Sequence, residues 1–219
     1  MEALRATPTP PVVASFFAPR YERWPGCDYD RLLLLLDASC RRLGLRHVVI
    51  SDERRPAPLE TARFNLPENL MRACLDGQRQ FLAATSGPVL LVGADCLLTA
   101  DPTPFMNGDV TITIGPFADC EMNTWMVWCA DGPRCAPVWQ RALDLRPQEW
   151  GDDQTCLYAA IQSSDLAVWR VACQAHNWAP EGPLDRAGWP TVVHFRGMRK
   201  PWMAGWAKAH LGIAHPANG

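Results

Sequence analysis

The chain has 219 residues, of which 48% are hydrophobic, and a formal net charge of −2. This length fits one domain, or one domain with a small appendage, and the apolar content is ordinary for a protein with a buried core. The slightly negative charge excludes a global field that would favour nucleic acid or an anionic membrane.

The N-terminal part predicts a β-α-β unit that follows a loose, proline-containing lead-in over residues 1–11. Residues 12–17 form a strand-like apolar run. Residues 28–43 carry helical features, and Gly44 is a natural stop. Arg46–Ser51 is a second short apolar strand. This order predicts parallel strands joined by a crossover helix.

The middle of the chain leads a buried strand into an acidic residue. Residues 68–84 predict a helix, and residues 89–92 form a continuously apolar strand of the kind that is buried on both faces. This strand runs directly into the Gly-Ala-Asp sequence of residues 93–95. Ligands of an open α/β sheet gather beyond the carboxyl ends of such strands, so Asp95 lies where chemistry is expected.

The remainder of the chain predicts further strands and helices. Residues 110–114 and 122–129 are predicted strands, residues 137–145 and 152–162 are predicted helices, and residues 192–195 are the last predicted strand. We therefore expect an α/β fold with a mainly parallel central sheet flanked by helices.

The cysteines and the N-terminus bear on the cellular compartment. Nine cysteines, an odd number with no C-x-x-C pair, argue against a zinc ribbon and a secreted disulfide framework. Three prolines lie between residues 8 and 11, and no basic region precedes an apolar run, so no signal peptide is predicted. The leucine run over residues 32–36 is too short to cross a bilayer. We expect a soluble, cytoplasmic protein with no transmembrane segment.

The segment that says most about function is HFRGMRKPW, residues 194–202. It contains an imidazole that can ligate a metal, a glycine that lets the backbone approach a ligand, and an ammonium beside a rigid Pro-Trp pair. Those groups suit the binding of a diphosphate. The pattern H-F-x-G-x-x-K-P-W resembles the signature that closes the donor site in retaining glycosyltransferases of the glycogenin and lipooligosaccharide galactosyltransferase family.

The resemblance implies a fold and a domain organisation. It implies a single GT-A domain, which is the Rossmann-like fold of nucleotide-diphospho-sugar transferases, over residues 12–206. Residues 1–11 are then a flexible lead-in, and residues 207–219 are a C-terminal tail.

The resemblance also implies a divalent cation held by a D-x-D motif after a hydrophobic strand. Asp95 matches the second aspartate, whereas Gly93 stands in place of the first and cannot ligate a metal through a side chain. One reading keeps a weakened Mn²⁺ or Mg²⁺ site, with Asp95 and His194 as ligands, and water and phosphates completing the shell. In the other reading the protein works without a metal ion, and Lys200 and nearby arginines supply the positive charge. The weakened metal site is the preferred reading.

Three further matches imply contacts with the donor sugar. Asn123 matches an asparagine that contacts the sugar, although Trp125 occupies the glycine position of that family motif. Asp153 and Gln154 match an Asp-Gln pair, of which the aspartate binds sugar hydroxyls and the glutamine lies near the anomeric carbon. Asn177 resembles a further family asparagine. Catalytic roles are therefore expected for Asp153 and Gln154, together with Lys200.

The other predicted donor contacts are assigned by position alone. A uracil-like base is expected to stack at the end of the first strand, and an acidic residue after the second strand would read the base or the ribose. A basic residue of the helix over residues 68–84 would pair with the donor, and the backbone of the C-terminal motif and of the D-x-D element would approach it. These residues are Phe17, Ala18, Tyr21, Asp52, Arg72 or Arg79, Ala94 and Gly197.

The resemblance implies transfer of a hexose or pentose from a nucleotide-sugar, with UDP the favoured nucleotide, to an acceptor hydroxyl with retention of configuration. Without an obvious carboxylate nucleophile, front-face attack is expected, and Lys200 would stabilise the leaving group. The acceptor is left open among a saccharide, a protein and modified DNA.

Two other functions stay open at this point. Gly93 and Trp125 are changes at expected site positions, which is consistent with a non-catalytic nucleotide-sugar-binding protein of the same fold. A basic cluster is consistent with a phage-type glycosyltransferase that acts on hydroxymethylated DNA bases. That cluster comprises Arg186, Arg196, Arg199, Lys200 and Lys208.

Overall fold

The structure is a computed structural model, and it describes residues 10–21, 27–115, 122–186, 188 and 190–214. The strands are β1 Val12–Phe16, β2 Arg46–Ser51, β3 Glu60–Arg63, β4 Val89–Gly93, β5 Cys96–Leu98, β6 Val110–Ile114, β7 Met122–Cys129, β8 Val168–Ala172 and β9 Val192–His194. The helices are α1 Tyr29–Arg42, α2 Leu70–Ala84, α3 Gly132–Asp144, α4 Asp152–Gln162, α5 Cys173–His176 and α6 Met203–Leu211.

Local signals account for the ends of the first two helices. The Asp28 side chain accepts a hydrogen bond from the backbone N–H of Arg31, and the Asn69 side chain accepts one from that of Arg72, so each helix begins at a side-chain cap. Gly44 follows α1 with a φ of 70°, a left-handed conformation that glycine adopts without strain. Both predicted helices are confirmed to within about two residues at their ends.

Seven strands form one mixed sheet in the order β3-β2-β1-β4-β7-β6-β8. β1 pairs in parallel with both β2 and β4, and β3 and β8 pair in parallel with β2 and β6. Only β7 runs antiparallel to its neighbours, β4 and β6. The predicted α/β fold with a mainly parallel sheet is confirmed, and the carboxyl ends of β1, β2 and β4 meet at one edge.

A second, two-stranded sheet brings the C-terminal motif to that edge. β5 and β9 are antiparallel, with Cys96 opposite His194. The backbone N–H of Phe195 donates to the carbonyl of Asp95 at 2.8 Å. Because of this pairing, the segment that follows β9 starts beside the loop that follows β4.

Alternate residues of the central strands pack against two helical layers. On one face, Ala14 and Leu91 pack with residues of α2, α3 and α4. On the other face, Val13 and Leu90 pack with α1, α6 and the two-stranded sheet. This alternation is the expected period of two for strands buried on both sides.

The structure differs from the predicted elements in a few places. β3 and β8 are half-exposed edge strands without a clear apolar pattern, and β5 is only three residues long, so none of them was predicted. α3 begins at Gly132 rather than at residue 137, and Pro137 lies inside it.

The last helix, α6, includes residue 207, and Ala207 and Ile213 are buried. The predicted boundary after residue 206 stays a prediction. Residues 1–9 and 215–219 lie outside the described part of the chain. Within the described part, every helix is too short or too polar to traverse a lipid bilayer.

Candidate active site

A cleft of about 850 Å³ opens at the sheet edge where β1 and β4 end. The N-terminal turns of α2 and α4 and the segment after β9 complete its walls. Nine residues that the sequence predicts for the site line this cleft. They are Phe17, Ala18, Ala94, Asp95, Asp153, Gln154, His194, Gly197 and Lys200.

Three of these side chains form a charged corner at the end of β4. The Nε2 atom of His194 lies 3.4 Å from one carboxylate oxygen of Asp95, and the Nζ atom of Lys200 lies 2.7 Å from the other. The three side chains are at most 9% exposed. The sequence-predicted acidic and basic segments therefore meet in a single cavity.

The charges in this corner compensate one another. Burial alone would raise the pKa of the Asp95 carboxyl, but the His194 imidazole and the Lys200 ammonium outweigh burial and hold that pKa well below its usual range. Asp95 is thus a carboxylate across the physiological range. A buried ion pair of this kind is sensitive to the loss of either partner, because the survivor keeps an uncompensated charge.

Trp125 occupies the space that a side chain at position 93 would need. A Cβ atom built on Gly93 would lie 2.8 Å from Asp95 Oδ1 and 2.8 Å from Trp125 Cε3, closer than real Cβ atoms approach. The Trp125 ring also lies against the His194 ring, with 5.7 Å between centroids. Gly93 and Trp125, the two positions at which the sequence departs from the motifs that it resembles, therefore form one packing arrangement.

Two buried asparagine side chains that do not line the cleft hold Trp125 in place. The Oδ1 atom of Asn123 accepts from the backbone N–H of Trp125 at 2.9 Å and from Asn177 Nδ2 at 3.0 Å. Asn123 and Asn177 are 6% and 5% exposed, and the cleft-lining residues include neither of them. The structure thus places both asparagines behind the wall rather than at the cleft surface.

The N-terminus of α4 forms the opposite wall. Gly151, with a φ of 92°, precedes the helix, and the Asp152 carboxylate accepts from the backbone N–H groups of Gln148 and Glu149. Asp153 is buried at the cleft, and burial raises the pKa of its carboxyl from 3.8 to about 6. The Oε1 atom of Gln154 accepts from the backbone N–H of Thr124 at 3.4 Å.

The turn after β9 contributes further cations. Gly197 has a φ of 61°, so the backbone turns sharply between Arg196 and Lys200. Arg196 and Arg199 both line the cleft. The Nε atom of Arg199 is buried and has no hydrogen-bond partner within the described ranges. This rim suits an anionic ligand.

The end of β1 provides an aromatic pair. Phe17 stacks on Tyr29 with 4.7 Å between ring centroids and 13° between planes, and the Arg55 guanidinium lies 5.3 Å from the Phe17 centroid. Tyr29 was missed by sequence reasoning, because it starts α1 and carries no motif. The side chain of Tyr21 lies outside the described part of the chain.

The structure does not bring every predicted donor contact to the cleft. Asp52 pairs with Arg20 at 2.8 Å, and Arg79 pairs with Asp76 at 2.8 Å. Neither they nor Arg72 are among the cleft-lining residues. Trp150, in contrast, lines the cleft and is 53% exposed, although nothing in the sequence separates it from the other tryptophans.

The described residues contain one cluster of side chains able to hold a metal ion, formed by Asp95, Cys96 and His194. Their ligand atoms lie within 4.8 Å of one another. Two ligands of one Mg²⁺ or Mn²⁺ ion lie about 3 Å apart when the bonds of roughly 2.1 Å are at right angles, so the 3.4 Å between Asp95 and His194 fits. Burial raises the pKa of the Cys96 thiol well above its usual value. Hard cations such as Mg²⁺ and Mn²⁺ prefer oxygen ligands to sulfur, so Asp95 and His194 are the better ligands.

Comparisons with known proteins give the fold but no sequence family. No protein-family model matches the chain, and no curated protein matches its sequence. A glycosyltransferase involved in glycosylation of the major capsid of PBCV-1 superposes with a TM-score of 0.60 at 11% identity, covering 88% of this chain and 98% of that one.

Two other glycosyltransferases superpose similarly. The galactosyltransferase LgtC, in complex with donor and acceptor sugar analogues, has a TM-score of 0.55 at 11% identity, covering 94% of this chain and 97% of that one. The glycosyltransferase GlyE of Streptococcus pneumoniae TIGR4 has a TM-score of 0.59 at 13% identity, covering 95% of this chain and 66% of that one. The chain therefore has the GT-A fold of these glycosyltransferases.

Proposed function

We propose that the protein is a retaining glycosyltransferase that moves a sugar from a nucleotide-sugar to an acceptor hydroxyl. The observation that carries the proposal is the meeting of Asp95, His194 and Lys200 in one cleft that Asp153 and Gln154 also line. This cleft lies at the carboxyl ends of parallel strands, where α/β proteins bind nucleotides. The glycosyltransferases that share the fold support the same assignment.

The donor would extend along the cleft from β1 to α4. The base, with uracil favoured, would contact the Phe17–Tyr29 pair beside Ala18. The diphosphate would lie at the charged corner, with Ala94, Gly197 and the Lys200 ammonium around it. The sugar, a hexose or a pentose, would then reach Asp153 and Gln154.

A divalent cation, Mn²⁺ or Mg²⁺, would be held by Asp95 and His194. When bound, such a cation supplies positive charge that stabilises the leaving diphosphate. Two side-chain ligands leave most of the coordination shell to phosphate and water, which hard cations tolerate. Gly93 supplies no third ligand, so this site is weak in the free protein.

The chain's own groups account for the transfer. The acceptor oxygen would form a bond to the anomeric carbon while the bond from that carbon to the diphosphate oxygen breaks, and the nucleoside diphosphate leaves with the electron pair. A diphosphate oxygen accepts the proton of the acceptor hydroxyl, and attack on the same face retains configuration. Lys200 stabilises the leaving oxygen, and Asp153 and Gln154 position the sugar.

The test is a mass-spectrometric screen of nucleotide-sugars for hydrolysis or transfer, with and without Mn²⁺. We expect turnover of one UDP-sugar, and loss of turnover in K200M. The matched control is K208M, because Lys208 is the only other lysine in the chain and is exposed on α6. No turnover of any donor, or equal rates in both variants, would refute the proposal.

A non-catalytic donor-binding protein is the second candidate, and the packing of Trp125 over Gly93 favours it, because the indole narrows the site. UDP binding without turnover across the donor panel would select this candidate. A DNA acceptor has weaker support, since Lys200 is buried against Asp95 and does not extend the basic cluster on the surface. Saccharide and protein acceptors do not require that cluster.

The proposed cytoplasmic location rests on the thiols. The eight cysteines in the described ranges are all free, and most are buried. Free, buried thiols are typical of proteins in a reducing compartment.

A further inference from the structure

The Asp95–Lys200 pair places a protein cation on the carboxylate that a metal ion would need as a ligand. Asp95 offers two carboxylate oxygens; His194 faces one of them and Lys200 lies 2.7 Å from the other. An ammonium at hydrogen-bond distance from a carboxylate neutralises it and repels a second cation. A divalent ion that approaches Asp95 therefore meets a competitor that is already bound.

Gly93 and Trp125 make this competition favour Lys200 over the metal ion. A second carboxylate at position 93 would raise the negative charge enough for a metal ion and Lys200 to be held together. In this chain the Trp125 indole fills that space, since a Cβ at position 93 would come within 2.8 Å of it. Among the described residues, Asp95 is thus the carboxylate of this corner, and Lys200 balances its charge.

A nucleotide diphosphate changes this balance. It adds phosphate oxygens that ligate the metal ion and also accept hydrogen bonds from an ammonium. Arg196 and Arg199 at the rim favour the arrival of such an anion, and the Nε atom of Arg199 lacks a partner within the described residues. The diphosphate therefore offers Lys200 an alternative to Asp95 and frees that carboxylate for the metal ion.

We infer that Lys200 blocks the cation site of the free protein, so that a divalent cation binds tightly only together with a nucleotide diphosphate. The part of this inference that concerns the nucleotide rests on the proposed function. Because coupling between two ligands is reciprocal, Mn²⁺ must tighten UDP binding by the same factor by which UDP tightens Mn²⁺ binding.

Calorimetry with Mn²⁺ tests the block directly and does not require turnover. For the wild-type protein we expect Mn²⁺ affinity to rise at least about tenfold when UDP is present. Without nucleotide, K200M should bind Mn²⁺ at least about tenfold more tightly than wild type, because Met has similar length and no charge. K208M should behave as wild type, and K200M/D95N should lose the gain.

A second variant pair keeps the inference open to refutation if K200M does not fold. In G93D/W125G the indole is removed and a second carboxylate is added, so Mn²⁺ should bind without UDP, whereas W125G alone should not gain this property. If the protein binds UDP, equal Mn²⁺ affinity of the wild type with and without UDP would overturn the inference, as would unchanged Mn²⁺ affinity in K200M.

Failure of the proposed function would look different. If UDP binds neither with nor without Mn²⁺ while K200M still gains Mn²⁺ affinity, the block by Lys200 stands and the nucleotide assignment falls. If UDP binds and is turned over but Mn²⁺ affinity is independent of UDP, the transferase stands and the block by Lys200 is wrong.

Discussion

Two aspartate–histidine pairs in this molecule have similar local chemistry but different surroundings. In the first pair, His47 Nε2 lies 2.9 Å from the Ser15 hydroxyl, and His47 Nδ1 lies 3.6 Å from Asp37. The pair is buried between β1, β2 and α1, and none of the cleft-lining residues belongs to it. The second pair, Asp95 with His194, lines the cleft.

The difference shows that side chains arranged like those of a catalytic site must also be accessible to substrate. Ser15, His47 and Asp37 have the order of contacts of a hydrolase triad, yet Ser15 is 0% exposed and no substrate could reach its hydroxyl. The cation beside Asp37 is Arg41, which is 57% exposed, whereas the cation beside Asp95 is Lys200, which is 8% exposed. Burial of the cation inside a cleft distinguishes the second pair from the first, and it supports our proposal that the second pair belongs to the active site.

The largest effect that this comparison predicts is on turnover. K200M and D95N should each lower kcat by about 10²–10³-fold, because K200M removes the ammonium that would stabilise the leaving diphosphate and D95N removes a charged ligand of the cation that would do the same. S15A, at the inaccessible hydroxyl, should leave kcat unchanged. Donor hydrolysis followed by mass spectrometry gives these rates. A kcat in S15A as low as in K200M would reverse the assignment of the two regions.

The next effect separates folding from binding at the two histidines. H47A should lower the free energy of unfolding by about 2–4 kcal/mol, because it removes a buried hydrogen bond and leaves a cavity. The affinity of the folded fraction for UDP should not change. H194A should instead weaken the coupling between Mn²⁺ and UDP.

Urea denaturation and calorimetry on the same samples provide both quantities. If H47A reduces the Mn²⁺–UDP coupling and H194A does not, the functional role belongs to the other pair.

Asp153 is a third buried carboxylate. It differs from Asp95 because no cationic side chain contributes to its pKa. Burial raises that pKa to about 6, so the folded state binds a proton more tightly than the unfolded chain does. Asp153 therefore lowers stability as pH rises from about 4 to about 6, and the loss stays constant above that range. D153N should remove a penalty on the order of 2–3 kcal/mol at pH 7.5 and almost none at pH 4.

Denaturant unfolding of wild type and D153N across this pH range measures the difference. D153E serves as the matched control, since it keeps the charge. If the difference in free energy of unfolding between wild type and D153N is independent of pH, the pKa of Asp153 is not raised by folding. The proposal that Asp153 binds sugar hydroxyls would then weaken.

The smallest predicted effect concerns Arg41, the exposed cation beside Asp37. Arg41 and Asp37 are four residues apart on α1, and the Arg41 side chain is 57% exposed. R41A should therefore cost only about 0.3–0.5 kcal/mol of stability, as solvent-exposed helix pairs do. A loss above about 2 kcal/mol in thermal unfolding would show that Arg41 is as important to Asp37 as Lys200 is to Asp95.

The sequence predicted the sheet, the main helices and the charged corner, because each depends on a local pattern or on a recognisable motif. Asp95 was predicted from the apolar strand before it, and Lys200 from its place in the C-terminal motif. Their meeting depends on the β5–β9 ladder, which was not predicted because three-residue strands carry too little pattern.

Other features of the site required three-dimensional packing to be seen. Trp125 and Gly93 are 32 positions apart, and only the structure shows that the indole fills the space above the glycine. The position of Asn123 behind the wall, and the pairing of Asp52 with Arg20, depend on tertiary contacts that no local pattern encodes.

A crystal structure of the protein with UDP and Mn²⁺ tests the central claim most directly. We predict that the diphosphate lies in the cleft within hydrogen-bond distance of Lys200 Nζ, and that this ammonium has moved away from the Asp95 carboxylate. Electron density for UDP outside the cleft, or Lys200 still bound to Asp95 with the diphosphate elsewhere, would contradict the account.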